Sequence, residues 1–316
     1  MYYGSASLEW GTLPGTHNSC SGRSSCRVRS LRSLLLPGRC RVLSISRVHH
    51  LNCGTFLTSF VGPLVSHVLL CETSDGLVLV DSGLGLRDIE SPRRRLGAPA
   101  MMLGPALRAE ETAVNQVEAL GYSSSDVRHI VATHLDYDHI GGATDFPDAV
   151  VHTTSTELHV ARAQRTLSER FRYRKPHLTA LADVRTYGEM TEQLLGFDLA
   201  HPIDGVENMW LVPLPGHSEG HSGVALQVNG RGWLFHAGDA FFHHTTIHQS
   251  APWSFRRGAV RVVETMLADN VAAVRENHSC LRQLAHKTDH VSVFCSHDAA
   301  MFEEMRSDAE RMRRRC

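Results

Sequence analysis

Four residues that can bind a metal ion lie within six consecutive positions: His134, Asp136, Asp138 and His139. They come directly after the short apolar run Ile130–Ala132, which is typical of the end of a buried strand. Imidazoles and carboxylates are costly to bury without a partner, whereas a divalent cation turns the same groups into ligands. This spacing therefore predicts a metal site at the end of that strand.

Three later segments share one organisation, in which an apolar strand is followed by a small residue and then by His or Asp. These segments are Pro213–His221, Leu234–Asp239 and Val293–Asp298. Gly216 and Gly238 allow the backbone to turn sharply, so that the next polar side chain leaves the strand end and enters a cleft. Each segment alone would indicate ordinary turn chemistry. Because they occur together, we expect His217, Asp239 and His297 to complete the metal site.

The motifs T-H-x-[HD]-x-D-H-x-G-G, P-G-H-[ST]-x-G-H, H-A-G-D and a late S-H occur in this order, over about residues 42–305. Together they resemble the motifs of the metallo-β-lactamase-fold hydrolases. The resemblance implies an α+β fold, an αββα sandwich in which two mixed β-sheets are flanked by helices and metal ions lie at the edge between the sheets. One such motif would be weak support, but several in a fixed order are specific.

The resemblance also implies seven metal ligands, which form two sites that share one bridging carboxylate. The first site would use His134, Asp136 and His217, the second Asp138, His139 and His297, and the bridge Asp239. In most relatives position 136 is His, and a carboxylate there makes the first site harder and more anionic, which favours Mn or Fe relative to Zn. We still expect two divalent cations with Zn as the first choice, because imidazoles supply four of the seven ligands.

Two such cations about 3.5–4 Å apart can share a hydroxide and lower its pKa from ~15.7 to near ~7. The sequence therefore predicts hydrolysis of an ester, lactone or thioester by a metal-bridging hydroxide, and Asp138 could pass a proton to the leaving group. Two alternatives on the same fold remain open: an iron-dependent oxidoreductase that resembles the persulfide dioxygenases, and a nuclease. A net charge of −1 is unusual for a protein that binds nucleic acid, so we expect a small-molecule substrate.

Other residues close to the motifs each allow two interpretations. Asp81 ends an apolar run and resembles the V-D-x-G element of this fold, so it could orient a ligating His from behind the site, although an ordinary turn Asp fits nearly as well. Phe241, Phe242 and Trp253 lie just past Asp239. They could line an apolar substrate pocket, with core packing as the alternative.

Acyl-homoserine lactonases of this fold typically carry a Tyr three residues after the bridging Asp. Phe242 occupies that position here and lacks the hydroxyl that would assist a lactone oxygen, which weakens the lactonase interpretation without removing it. The basic run Arg170–Lys175 could bind an anionic substrate, but we interpret it as a solvated helix face or loop. We assign His221 a structural hydrogen-bonding role, because the resemblance supplies no ligand there.

The remaining pattern indicates one domain over residues 41–316, with strand-like runs in two halves and helices between them. Residues 1–40 are rich in Ser, Gly and Arg, and we interpret them as a disordered or misannotated extension, with an organellar targeting segment as the alternative. Residues 86–108 and 166–205 have no clear period and indicate a long loop and a surface excursion. Because no apolar run approaches ~18 residues and the cysteines are scattered without a C-x-x-C pair, we expect a cytoplasmic protein without a membrane span.

Overall fold

The computed structural model describes residues 45–59, 61–248, 255–288 and 290–314, and the structural statements below concern these residues. Their strands form two six-stranded sheets with helices packed against them. The two mixed sheets and their flanking helices confirm the predicted αββα sandwich. The expected extension at residues 1–40 and the candidate pocket residue Trp253 lie outside the described residues.

The first sheet contains the strands of the N-terminal half in chain order. Its strands are β1 (Arg47–Thr58), β2 (Gly62–Thr73), β3 (Gly76–Val80), β4 (Val127–Val131), β5 (Val150–Thr154) and β6 (Asp183–Tyr187). The pairs β1–β2 and β2–β3 are antiparallel, whereas β3 to β6 pair in parallel. Parallel pairing places the carboxyl ends of β3 and β4 at the same edge, so Asp81 and the loop that begins at Ala132 lie side by side.

The second sheet has the order β12-β11-β10-β9-β8-β7. Its strands are β7 (Glu192–Leu194), β8 (Phe197–Pro202), β9 (Met209–Pro213), β10 (Ser222–Val228), β11 (Gly232–His236) and β12 (Val291–Phe294). Its neighbours pair antiparallel except for β11 and β12, which are parallel. The segments that follow β11 and β12 therefore leave the sheet at the same edge.

The helices are short in the first half of the chain and longer near its end. They are α1 (Leu86–Glu90), α2 (Pro92–Arg95), α3 (Ala98–Met102), α4 (Ala113–Ala119), α5 (Tyr137–Ile140), α6 (Ser155–Ala163), α7 (Leu167–Arg172), α8 (Lys175–Leu178), α9 (Phe255–Leu267), α10 (Val271–Lys287) and α11 (Ala299–Arg313). Within the described residues, none of these helices combines the length and apolar character that a membrane span requires.

The apolar side chains form two main cores, as a layered sandwich requires. The larger core contains residues of both sheets, among them Leu69 of β2 and Val224 of β10, together with Leu281 of α10. The second core joins the opposite face of the first sheet to its helices, with Ile130 of β4 and Val117 of α4 as members. Because both faces of the central strands are buried, these strands read as continuous apolar runs in the sequence.

The two segments without a clear period contain more regular structure than we expected. Residues 86–108 include three short helices rather than a plain loop, and residues 166–205 include α7, α8 and the strands β6 to β8. These strands lie at or near the sheet edges, and most side chains of β6 and β7 are partly or fully exposed. Edge strands need no apolar face on both sides, so their sequences carry little hydrophobic alternation.

A buried carboxylate fastens these two irregular segments to each other. Asp88 of α1 has no exposed surface, and its Oδ1 accepts hydrogen bonds from Arg95 Nε at 2.6 Å and from His177 Nε2 at 2.7 Å. Its Oδ2 accepts from the backbone N–H of Gly85 at 2.9 Å. One side chain therefore joins the neighbouring helices α1 and α2 to α8, which lies about 80 residues later in the sequence.

Two glycines allow the end of α5 to pack closely on the turn after β3. A Cβ atom added at Gly142 would lie 2.5 Å from the carbonyl oxygen of Ser82, which is closer than real contacts allow. Gly83 has a φ of 64°, a left-handed conformation in which a Cβ atom would also overlap Cys53. This close approach holds the cluster at residues 134–139 against the edge of the first sheet.

Candidate metal centre

Seven side chains converge where the edges of the two sheets meet, and each lies shortly after the end of a strand. They are His134 after β4, Asp136, Asp138 and His139 at the start of α5, and His217, Asp239 and His297 after β9, β11 and β12. Three overlapping groups among them have ligand atoms within 4.8 Å of one another. The structure therefore brings together all seven candidate ligands from both halves of the chain.

Asp239 lies at the middle of this cluster. Its Oδ2 is 3.0 Å from His297 Nε2 and 3.4 Å from His217 Nε2, and its Oδ1 is 3.4 Å from His139 Nε2. Asp138 approaches from the other side, with Oδ2 at 3.7 Å from His297 Nε2. Asp239 thus faces imidazoles of both predicted sites, His217 of the first and His139 and His297 of the second, as a bridging carboxylate would.

Asp136 occupies the position where the resemblance of the motifs leads us to expect His, and it faces the cluster. Its Oδ2 is 3.4 Å from His134 Nε2 and 3.3 Å from His217 Nε2. These three residues form a group of two imidazoles and one carboxylate. The exchange at position 136 therefore changes the type of the ligand atom without removing it from the site.

Three of the four candidate imidazoles are held through their outer ring nitrogen, whereas Nδ1 of His217 makes no hydrogen bond to a described residue. His139 Nδ1 donates to Asp81 at 2.8 Å, His297 Nδ1 donates to the carbonyl of Val65 at 2.8 Å, and His134 Nδ1 lies 3.0 Å from Thr133 Oγ1. Each of these three rings therefore turns its Nε2 towards the cluster. A hydrogen bond from the other ring nitrogen is the usual second contact of a histidine that binds a metal.

Several polar atoms at the middle of the cluster are buried without a protein partner. They are Nε2 of His134, Nε2 of His139 and Oδ1 of Asp239. Buried polar atoms are nearly always satisfied, so an arrangement of lone pairs around one point fits a bound cation. The donor set of this structure therefore fits the metal ions that its motifs imply.

The electrostatic environment differs between the candidate ligands. Burial, followed by the nearby His139, lowers the pKa of His134 to about 4, so this imidazole is neutral and able to ligate. Burial opposes the charge of His297, but the carboxylate of Asp239 outweighs burial and raises the pKa of His297 to about 9. Burial likewise opposes ionisation of Asp239, yet the neighbouring histidines hold its pKa well below the usual range.

Comparison with known proteins gives the family. Residues 61–284 match the model of the metallo-beta-lactamase superfamily. The chain belongs to this superfamily. A Mycobacterium tuberculosis protein named "Probable metallo-hydrolase" is 41% identical over 265 residues, which cover 83% of this chain and 84% of that protein. An N-acyl homoserine lactonase of Azorhizobium caulinodans is 28% identical over 225 residues, covering 71% of this chain and 78% of the lactonase.

Solved structures of the superfamily share this fold. An N-acyl homoserine lactone hydrolase, with N-hexanoyl-L-homoserine bound at its catalytic metal centre, matches with a TM-score of 0.63 and 19% identity. The match covers 83% of this chain and 97% of the hydrolase. Together with the named relatives, this confirms the resemblance seen in the motifs, and we describe the protein as a metal-dependent hydrolase of the metallo-β-lactamase superfamily.

Asp81 stands directly behind the ligand set of this superfamily member. Besides its contact with His139 Nδ1, it accepts hydrogen bonds from the backbone N–H of Thr133 at 2.8 Å and from Thr133 Oγ1 at 2.9 Å. Its φ of 58° lies in the left-handed region, which costs energy for a residue with a Cβ atom. The carboxylate therefore fixes both the ring of His139 and the start of the ligand loop.

We expect Asp81→Asn to weaken metal binding by about 10- to 100-fold while the protein stays folded. The amide keeps the shape of the side chain but loses the charge that orients and polarises the ring of His139. Competition with a fluorescent zinc chelator measures the effect, and Asp75→Asn in the exposed β2–β3 turn is the matched control. Equal zinc affinity of Asp81→Asn and the control would contradict this role.

A second buried carboxylate, which we missed in the sequence, ties two ligand loops together. Glu157 Oε1 accepts from the backbone N–H of Leu135 at 2.9 Å, and Oε2 accepts from Ser218 Oγ at 2.7 Å. The sequence around Glu157 indicates only the start of a helix, because Thr154 caps α6 through the N–H of Glu157.

His221 has a structural hydrogen-bonding role, as we expected. Its Nε2 accepts a hydrogen bond from the backbone N–H of Asp239.

A buried arginine also belongs to this centre and departs from our interpretation of the sequence. We interpreted Arg170–Lys175 as a solvated face, but Arg172 is buried against Asp136. Only the last residue of α7, Arg172, is buried. The charged residues around it in the sequence are exposed or partly exposed, so the run as a whole has the pattern of a solvated helix. Phe171 beside Arg172 is half exposed.

The two candidate pocket residues in the described part of the chain, Phe241 and Phe242, lie in different surroundings. The ring of Phe242 lies 5.0 Å from that of His297 and 5.8 Å from that of His217, so it borders the metal centre. Phe241 has no exposed surface and packs in the larger core between the sheets, as does Ala240. Of the two phenylalanines, only Phe242 therefore lies beside the candidate metal centre.

Proposed function

We propose that this protein hydrolyses an ester, lactone or thioester bond in a small molecule, with two divalent cations held by the seven clustered side chains. The first cation would lie among His134, Asp136 and His217, the second among Asp138, His139 and His297, with Asp239 between them. The observation that carries this proposal is the convergence of buried, partnerless Nε2 and Oδ1 atoms on one point.

The bound cations would supply a nucleophile from water at neutral pH and would polarise the carbonyl group of the substrate. A residue of the chain would transfer the proton to the leaving group. Asp138 would hold the second cation through one carboxylate oxygen, and its other oxygen would take the proton that the attacking water loses and give it to the leaving oxygen or sulfur. We therefore assign Asp138 the role of general acid.

A buried apolar cluster lies beside the centre. It contains Val61, Phe242 and Val260, with Leu64 packed against it, and Leu64 also contacts a second cluster that includes Tyr137. Packing of this kind keeps water away from one side of the centre, where the reaction would take place. Several relatives are named N-acyl homoserine lactonases. Phe242 cannot supply a phenolic hydroxyl, so a simple ester or thioester fits as well as a lactone.

Zinc remains the metal that we propose first, because four of the seven ligand side chains are imidazoles. Manganese and iron are the alternatives that Asp136 introduces, since a carboxylate in place of an imidazole favours harder cations. The group of His134, Asp136 and His217 contains two histidines and one carboxylate. That combination is typical of non-haem iron sites, so an iron-dependent oxidoreductase resembling the persulfide dioxygenases is the second candidate.

One experiment on the full chain separates the two candidates. The protein is purified without added metal, its Zn, Mn and Fe are measured by mass spectrometry, and it is then assayed against acyl esters, lactones and thioesters and for oxygen uptake with a persulfide. We expect hydrolysis that a chelator abolishes and zinc restores, without oxygen uptake. Iron-dependent oxygen consumption, or hydrolysis that survives complete metal removal, would contradict the hydrolase proposal.

A further inference from the structure

Arg172 brings a positive charge into the centre at the first cation position. Its Nε lies 3.1 Å from Oδ1 and 3.0 Å from Oδ2 of Asp136, and only 6% of Arg172 is exposed. Oδ2 of Asp136 is the same atom that faces His134 Nε2 and His217 Nε2. The guanidinium and a cation at this position would therefore share one carboxylate oxygen.

The guanidinium is fixed in this place by contacts from separate parts of the chain. Its Nη1 donates to the carbonyl oxygens of His217 and Leu267 and lies 3.5 Å from Oδ1 of Asp269. Swinging it away from Asp136 would break several hydrogen bonds in a buried setting. The position of this charge is therefore a built feature of the site.

The second cation position has the opposite charge behind it. The carboxylate of Asp81 contacts the outer nitrogen of His139 at 2.8 Å and adds negative charge on that side. The first position thus has an arginine behind its ligand, and the second has an aspartate. Charges this close interact strongly where water is excluded, and an arginine remains charged at every working pH.

We propose that Arg172 competes with the metal for Asp136, so that the His134–Asp136–His217 position binds its cation more weakly than the Asp138–His139–His297 position. The inference rests on the proposed metal centre and adds an order of loading to it. The second position fills first, and the first position exchanges its cation with the surroundings. The two-cation form, and the hydrolysis that needs it, then depend on the concentration of free metal.

Zinc titration of the chelator-stripped full chain tests this order through affinities rather than activity. We expect two binding steps whose dissociation constants differ by about tenfold or more. Two equal steps would overturn the inference while leaving the proposed function intact. A chain that binds no zinc, manganese or iron at all would instead overturn the proposed metal centre.

Variants at position 172 test the cause of the difference. Arg172→Met removes the charge and keeps most of the apolar volume, and we expect it to tighten the weaker step by about tenfold or more without changing the tighter step. Arg172→Lys keeps the charge and is expected to leave the weaker step weak. Arg174→Met is the matched control, because Arg174 contacts the carbonyl of Arg95 rather than the site. The inference would be overturned if the weaker binding step of folded Arg172→Met had an affinity equal to or lower than that of the wild type.

A double variant covers the case in which Arg172→Met does not fold, since it leaves the charge of Asp136 buried without its partner. Asp136→His with Arg172→Met removes both charges together and supplies the imidazole that most relatives have. We expect its weaker step to be at least about tenfold tighter than that of the wild type. A weaker step equal to the wild-type value in this double variant would show that Arg172 does not set the affinity.

Discussion

Replacing Asp239 by asparagine is expected to remove bound metal and hydrolysis together, with turnover reduced on the order of a thousandfold or more. Asp239 is 3% exposed, and its oxygens face His217 of the first proposed cation position and His139 and His297 of the second. An amide keeps the shape but offers one neutral oxygen and places N–H donors against imidazoles. Both proposed cation positions therefore lose a ligand through one substitution.

Metal content by mass spectrometry and turnover on the best substrate measure this result. Asp198→Asn, an exposed residue of β8, is the matched control and should keep both. Circular dichroism shows whether Asp239→Asn is folded, which separates loss of ligation from loss of structure. Folded Asp239→Asn that retains two metal equivalents or near wild-type turnover would remove the bridging role.

Asp88→Asn is expected to lower the free energy of unfolding by about 3–5 kcal/mol, because it leaves Arg95 buried without its countercharge. Arg95 is 7% exposed and His177 is fully buried, so neither can turn to water for a partner. Asparagine also replaces an acceptor oxygen with a donor group next to donors. Urea unfolding at pH 7 measures the loss, and Asp183→Asn at the exposed start of β6 is the control.

The loss should also depend on pH in a defined direction. Burial opposes ionisation of Asp88, but His177, the N–H of Gly85 and Arg95 outweigh it and lower the pKa of Asp88. A lowered folded pKa stabilises the protein above the unfolded value of about 3.9, and this contribution is lost as the pH falls through the folded value. The difference between wild type and Asp88→Asn should therefore shrink as the pH falls below about 4. A difference that grows on acidification would contradict this assignment.

The ligand cluster could be predicted from the sequence because its information is local. Each ligand lies a few residues after an apolar strand and beside a small residue, and the spacing of His134 to His139 is characteristic by itself. The sandwich could be predicted for a related reason, since its central strands are buried on both faces and form apolar runs. Phe242 at the centre also followed from its distance to Asp239 in the sequence.

Other residues of the site could not be predicted because their partners are distant in the sequence. Arg172 and Asp136 are separated by 36 positions, and Asp88 and His177 by 89. Arg172 lies in a charged run, where a solvated helix face is the usual outcome. Glu157 sits at a helix start, where a carboxylate has a local reason to occur. Such residues become informative only once the fold brings their partners together.

The division of the ligands between the two sheets bears on how a cell makes this enzyme. The four candidate ligands between His134 and His139 are synthesised well before His297, which follows β12. His297 can reach them only after β12 has paired with the edge of β11. On the proposed ligand set, a nascent chain exposes part of the centre and cannot yet close it. The Asp138–His139–His297 position therefore lacks one of its proposed ligands until β12 has been synthesised, whereas all proposed ligands of the other position precede β12.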